Sequence, residues 1–139
     1  MTVQTEGEWE VRRTIQPYNL DLILAIGYRV RYWAKKLDVQ VVWLGVRPMR
    51  NQWASCSTSG HLNFSTDLLG LSRELWDYVI VHELLHFSVP NHGKLWKSLM
   101  RAHLGDYESY EVKLKRVAGE SGQLQSPWTA VSASLPPGN

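Results

Sequence analysis

A single cysteine, Cys56, is the entire thiol complement of this 139-residue chain. One cysteine excludes an internal disulfide and any zinc ribbon built from cysteine pairs. It agrees with a reducing cytoplasm, the location expected here. Long apolar runs are missing too. None approaches the roughly 20 residues that span a bilayer, and residues 1–10 are polar and acidic, unlike a signal peptide. No membrane partner is expected. An excess of either charge is also absent: 15 Lys and Arg face 13 Asp and Glu, a formal net charge of +2. That balance does not by itself point to nucleic acid or a lipid surface. No internal repeat is visible.

What the chain does have is tryptophan. Seven in so short a sequence is high, and such rings suit a small stiff core or the walls of a cleft. The hydrophobic fraction, 44%, is enough for one core.

Residues 8–16, with Trp9, Val11 and Ile15, read as a short strand that Pro17 ends. Residues 19–37 read as an amphipathic helix capped by Asn19. A β-branched strand follows over 39–46, then a turn around Pro48. Two strands over 53–58 and 61–65, joined at Ser59-Gly60, read as a hairpin. Residues 72–88 form a largely buried helix with Ser72 as cap, and Pro90 cannot continue it. Asn91 is the expected cap of a helix over 92–104 closed by Gly105. A last helix over 107–117 completes the folded part. Residues 1–117 are expected to form one domain and 118–139 a flexible tail. A few strands followed by helices argue for an α+β fold.

Residues 82–86 spell His-Glu-Leu-Leu-His. Positions four apart on a helix lie one turn apart on the same side. His82 and His86 can therefore share a metal, and imidazole suits zinc. Glu83 sits beside that metal without needing to ligate it, as suits a base acting on a metal-activated water. A catalytic zinc usually has three protein ligands. His92, beyond the break at Pro90-Asn91, is the third candidate.

The stretch from Tyr78 through His86, then Pro90-Asn91-His92 and Leu95-Trp96, resembles the YgjP-like metallopeptidase domain, a zincin related to the WLM and SprT-like proteases. Trp53-Ala54-Ser55-Cys56-Ser57 and His61-Leu62-Asn63-Phe64 resemble the family's strand pair, with Ala54 where Gly is usual and Gln52 where Arg is common. Asp106-Tyr107 and Leu114 resemble its closing segment. The resemblance spans roughly residues 20–116. It implies a minimal zincin-like fold: a small antiparallel or mixed sheet packed on an N-terminal helix and on the HExxH helix, with a further C-terminal helix. It also implies one Zn²⁺ per chain on His82, His86 and His92, Glu83 as general base, and a peptide or protein as substrate. An edge at the strand 61–65 is where an extended substrate would pair.

Other residues read more plainly. His61 is expected as an exposed strand residue and His103 as a packing or surface residue, about 16 Å along the helix from His92. Cys56 has nothing nearby in sequence to activate it. Trp96, one turn past His92, is expected to pack beside the site. The basic cluster at 29–36, with Tyr32 and Trp33, reads as a solvated helix face, with nucleic acid as the alternative.

Overall fold

The computed structural model describes residues 20–121. The strand expected at 8–16, the cap at Asn19 and the tail beyond 121 lie outside the described residues.

Helix α1 (Leu20–Leu37) opens the described chain. It buries Ile23, Ile26, Val30 and Trp33 at helical spacing. Asp38, at φ 58, turns the chain out of the helix, and the Val39 amide donates to the Ala34 carbonyl at 2.9 Å. Strand β1 (Trp43–Arg47) therefore starts four residues later than its β-branched pattern predicts, because the helix exit uses that stretch. Strands β2 (Ala54–Cys56) and β3 (His61–Ser65) follow. They form the expected hairpin, with Gly60 at φ +95 in the turn, where a side chain would be strained.

The sheet order is β1-β3-β2. β3 is central, parallel to β1 and antiparallel to β2. The chain thus leaves β1, skips one position to lay down β2, and turns back into the middle. The sheet is mixed, and the substrate edge expected at 61–65 is corrected. Both sides of β3 are occupied, so the open edges among the described residues belong to β1 and β2.

A 3-10 turn (Thr66–Gly70) leads to helix α2 (Arg73–Leu85), capped by Ser72, whose hydroxyl accepts from the Leu75 amide at 3.4 Å. Ten of its 13 residues are buried. A helix covered on nearly all sides runs through a core rather than over one. α1 and β2 both pack against it. Asp77 ties it to α1, taking Nε and Nη2 of Arg29 and the indole N–H of Trp33, each at 3.0 Å. Trp76 donates its indole N–H to the Leu68 carbonyl at 2.7 Å.

Helix α3 (Lys94–Leu104) closes at Gly105, φ 67. Its N-cap is Gly93, not Asn91. The Asn91 side-chain oxygen accepts from the Gly93 amide at 2.8 Å, which makes a side-chain turn ahead of the helix. His92 therefore sits on a turn. Helix α4 (Tyr107–Ser121) runs past the boundary expected at 117. Leu114 and Ala118 are fully buried, so its inward face persists one turn beyond the last clear sequence signal. No described helix is long and apolar enough to cross a membrane.

Candidate metal centre

His82 lies in the last turn of α2, and His86 is its C-cap residue. The helical spacing survives to that cap, so both imidazoles leave the same side, with ring centroids 5.0 Å apart. His92 faces them from the turn, 5.1 Å from the His82 ring and 4.6 Å from the His86 ring. One ring nitrogen from each of the three lies within 4.8 Å of the others. The fold brings together all three histidines singled out by the motif.

The hydrogen bonding orients one ring fully. Nδ1 of His86 donates to the Val89 carbonyl oxygen at 3.0 Å. A carbonyl only accepts, so the proton sits on Nδ1 and Nε2 keeps its lone pair. That Nε2 is 2.9 Å from Nε2 of His92. Two ring nitrogens at this distance need a proton or a cation between them. A tetrahedral zinc, with Zn–N near 2.0–2.1 Å, spaces its nitrogens by about 3.3 Å. The donor set and its spacing fit such an ion.

Burial keeps the His82 and His86 rings neutral. Desolvation pushes His82 well below its ordinary value, and the neighbouring His86 and His92 add to this. His86 falls to about 4, from desolvation and then His92, against the pull of the Val89 bond. His92 is lowered by desolvation, which the Glu111 charge opposes. Neutral imidazole is the form that ligates a metal.

Glu83 is fully buried, with Oε2 3.4 Å from Nδ1 of His82. No backbone amide or hydroxyl donates to either carboxyl oxygen. Burial pushes this carboxyl up to about 8, with the Cys56 thiol pulling the other way. A carboxyl held in such a place is costly as an anion unless a cation stands nearby.

Trp96 walls the cluster. Its ring lies against His82, His86 and His92 at 5.1, 6.1 and 4.6 Å, and Tyr107 abuts its far side at 5.9 Å. Tyr78, one turn before His82, donates its hydroxyl to Glu111 at 2.9 Å. Glu111 went unread in the sequence. Tyr78 carried a signal, since it is four residues from His82; Glu111 carried none.

The remaining expectations also have places. His61 is exposed beside Trp43, its partner in the β1–β3 register. His103 packs edge-on to Trp33 and takes no part in the cluster. The basic cluster divides. Trp33 is buried and Arg29 is tied to Asp77, while Arg31, Tyr32, Lys35 and Lys36 are exposed, with Tyr28 beside them.

The two kinds of shift give the metal-free protein a stability optimum. Glu83 is raised, so its contribution is intact below pH 4.5 and is lost as pH rises through about 8. His82 and His86 are lowered. Below 6.5 the unfolded chain takes protons that the native one refuses, so stability falls as pH drops toward 4. Between 4.5 and 6.5 two histidines outweigh one carboxyl, and the optimum lies near pH 6.5. From there to pH 8 the metal-free protein is expected to lose on the order of 1–2 kcal/mol. Urea unfolding of stripped protein across this range checks it. Glu83→Gln should abolish the alkaline decline; an unchanged decline in that variant would assign it to another group.

Comparison with known proteins places this geometry in a lineage. The YgjP-like metallopeptidase domain family matches residues 1–117. An uncharacterised protein of Methanocaldococcus jannaschii is 32% identical in an 80-residue alignment that covers 50% of this chain and 67% of the relative. The crystal structure of the metallopeptidase zymogen jannalysin, from the same organism, superposes with a TM-score of 0.59. It is 26% identical, over 68% of this chain and 96% of that one. The abylysin zymogen of Pyrococcus abyssi superposes with a TM-score of 0.61 at 17% identity, over 73% and 99% of the two chains, and bears on the fold alone. The match over residues 1–117 makes this chain a member of the YgjP-like metallopeptidase family.

Proposed function

We propose that His82, His86 and His92 hold one zinc ion per chain and that Glu83 is the general base for hydrolysis of a peptide bond. The observation that carries this reading is the convergence of three ring nitrogens within 4.8 Å beside a buried carboxyl. A zinc ion bound there supplies a Lewis acid and lowers the pKa of a water it takes up.

This chain's residues do the rest. The Val89 carbonyl fixes the His86 tautomer, so the free lone pair faces the centre. Trp96 keeps solvent from one side of the imidazoles. Glu83 accepts the proton of the attacking water and returns it to the leaving amine. Its oxygens are free of amide and hydroxyl donors, which leaves them open to take that proton. The outer edge of β2, open among the described residues and on the strand packed against α2, suits main-chain pairing with an extended peptide or protein substrate. We place the catalytic unit within residues 1–117 and the activity in the cytoplasm, where a lone buried thiol such as Cys56 stays reduced.

Recruitment of this peptidase to nucleic acid is the second reading. It is favoured by one exposed stripe on α1 that joins Tyr28 and Tyr32 to Arg31, Lys35 and Lys36. Phosphate contacts from those cations would make affinity for DNA fall with salt.

The deciding experiment strips the protein with a chelator and follows a mixture of unstructured peptides by mass spectrometry. Cleavage should stop on stripping and return when one equivalent of zinc is restored. Cleavage that continues in stripped protein would overturn the metal role. Restoration by magnesium and not by zinc would overturn the assignment of the ion.

A further inference from the structure

One face of α4 reaches both halves of the metal centre. Tyr107 and Glu111 lie four residues apart on this helix, so they share one side of it. The Tyr107 ring, 2% exposed, abuts Trp96 at 5.9 Å, and Trp96 lies 4.6 Å from the His92 ring. Glu111 accepts the hydroxyl of Tyr78 at 2.9 Å, and the Tyr78 ring lies 5.9 Å from that of His82. Tyr78 and His82 are themselves one turn apart on α2. A rung of α2 thus faces a rung of α4. Only Gly105 and Asp106 separate α3 from α4, so α4 stays close to the helix that carries Trp96.

We propose that Tyr78 is a positioning residue for the metal centre: its hydroxyl, bonded to Glu111, fixes α2 against α4 and so sets His82 relative to Trp96 and His92. This rests on the reading of the three histidines as metal ligands. The ring contacts at this interface are apolar and non-directional, so by themselves they leave α2 room to turn or slide slightly. A hydroxyl donated to a carboxylate is charge-assisted and demands one geometry. This bond is partly shielded from water, which strengthens it. Groups that touch no metal still govern its affinity when they hold the ligands in place.

The test measures zinc affinity by competition with a chromophoric chelator, and the visible spectrum of the cobalt-substituted protein. The variants are Tyr78→Phe, Glu111→Ala, Glu111→Gln and the double variant of Tyr78→Phe with Glu111→Ala. Tyr78→Phe keeps the buried ring and removes the bond. It should weaken zinc roughly tenfold, the lower end of what such outer support contributes, and shift the cobalt bands, which follow ligand geometry. Glu111 is half-buried, so its variants test the same tie without opening the core. Glu111→Ala should match Tyr78→Phe, and Glu111→Gln, which still accepts a hydrogen bond, should recover most of the affinity. The double variant should be no weaker than either single one. Urea unfolding of stripped protein separates this role from stability. A lower urea midpoint with zinc affinity and cobalt spectrum at wild-type values would overturn the proposal, as would equal losses in Glu111→Gln and Glu111→Ala. Wild type that takes up neither metal is a distinct failure: it removes the reading of the histidines as ligands, and the positioning role falls with it.

Discussion

Glu83→Gln is expected to lower kcat on any peptide substrate by roughly a hundredfold to ten-thousandfold, the usual contribution of a general base, while metal content stays at the wild-type level. The amide has the volume of the carboxyl, so packing at this fully buried position is preserved. What it loses is the ability to accept a proton. Substrate contacts are untouched, so KM should hold, as for an interaction made only in the transition state. The variant also removes a carboxyl that burial makes costly to ionise, so above pH 8 the metal-free protein should be no less stable. Steady-state kinetics and plasma mass spectrometry on the same preparation decide the matter. Retained activity would remove Glu83 from the mechanism, and lost metal would make it a ligand.

His86→Ala should abolish both bound metal and peptidase activity. This ring is closely held. Its Nδ1 is bonded to Val89, its ring lies at 18° to Trp96, and it is 2% exposed. Its removal leaves two imidazoles, too few to complete the three-ligand arrangement of a catalytic zinc. The fold should persist, because the large buried side chains of α1, the sheet and the first turns of α2 do not depend on it. Circular dichroism of the variant should therefore match that of stripped wild type. About one metal ion per chain in the variant would sink the ligand assignment.

Much of this was legible in the sequence because it is local. Each described helix is marked by its own periodicity and breakers, and the hairpin by Ser59-Gly60. The pairing of His82 with His86 follows from four residues of helix, and that of His92 from a proline that forces a turn. What was not legible is long-range. β2 follows β1 in the chain, yet β3 takes the place beside β1, and no feature of any one strand states which neighbour it prefers. That single fact moved the open edges, among the described residues, from residues 61–65 to β1 and β2. The contact of Tyr78 with Glu111 crosses between two helices. Asn91 misled for a different reason. Asparagine suits both a helix cap and a side-chain turn, and the Gly93 that follows took the cap.

The three histidines are not equally anchored. Two belong to the most deeply buried helix, where the 5.4 Å pitch sets their separation. The third hangs on the short Pro90-Asn91 turn and is exposed. One side of the cluster is thus set by helix and core, the other by a surface turn. If the three hold a metal, an ion of different radius would be accommodated at His92 with the least disturbance of the core packing. Tolerance among divalent ions, which geometry more than affinity governs, would then depend on the eight residues 86–93 between the two helices, and shortening or stiffening that segment would narrow it.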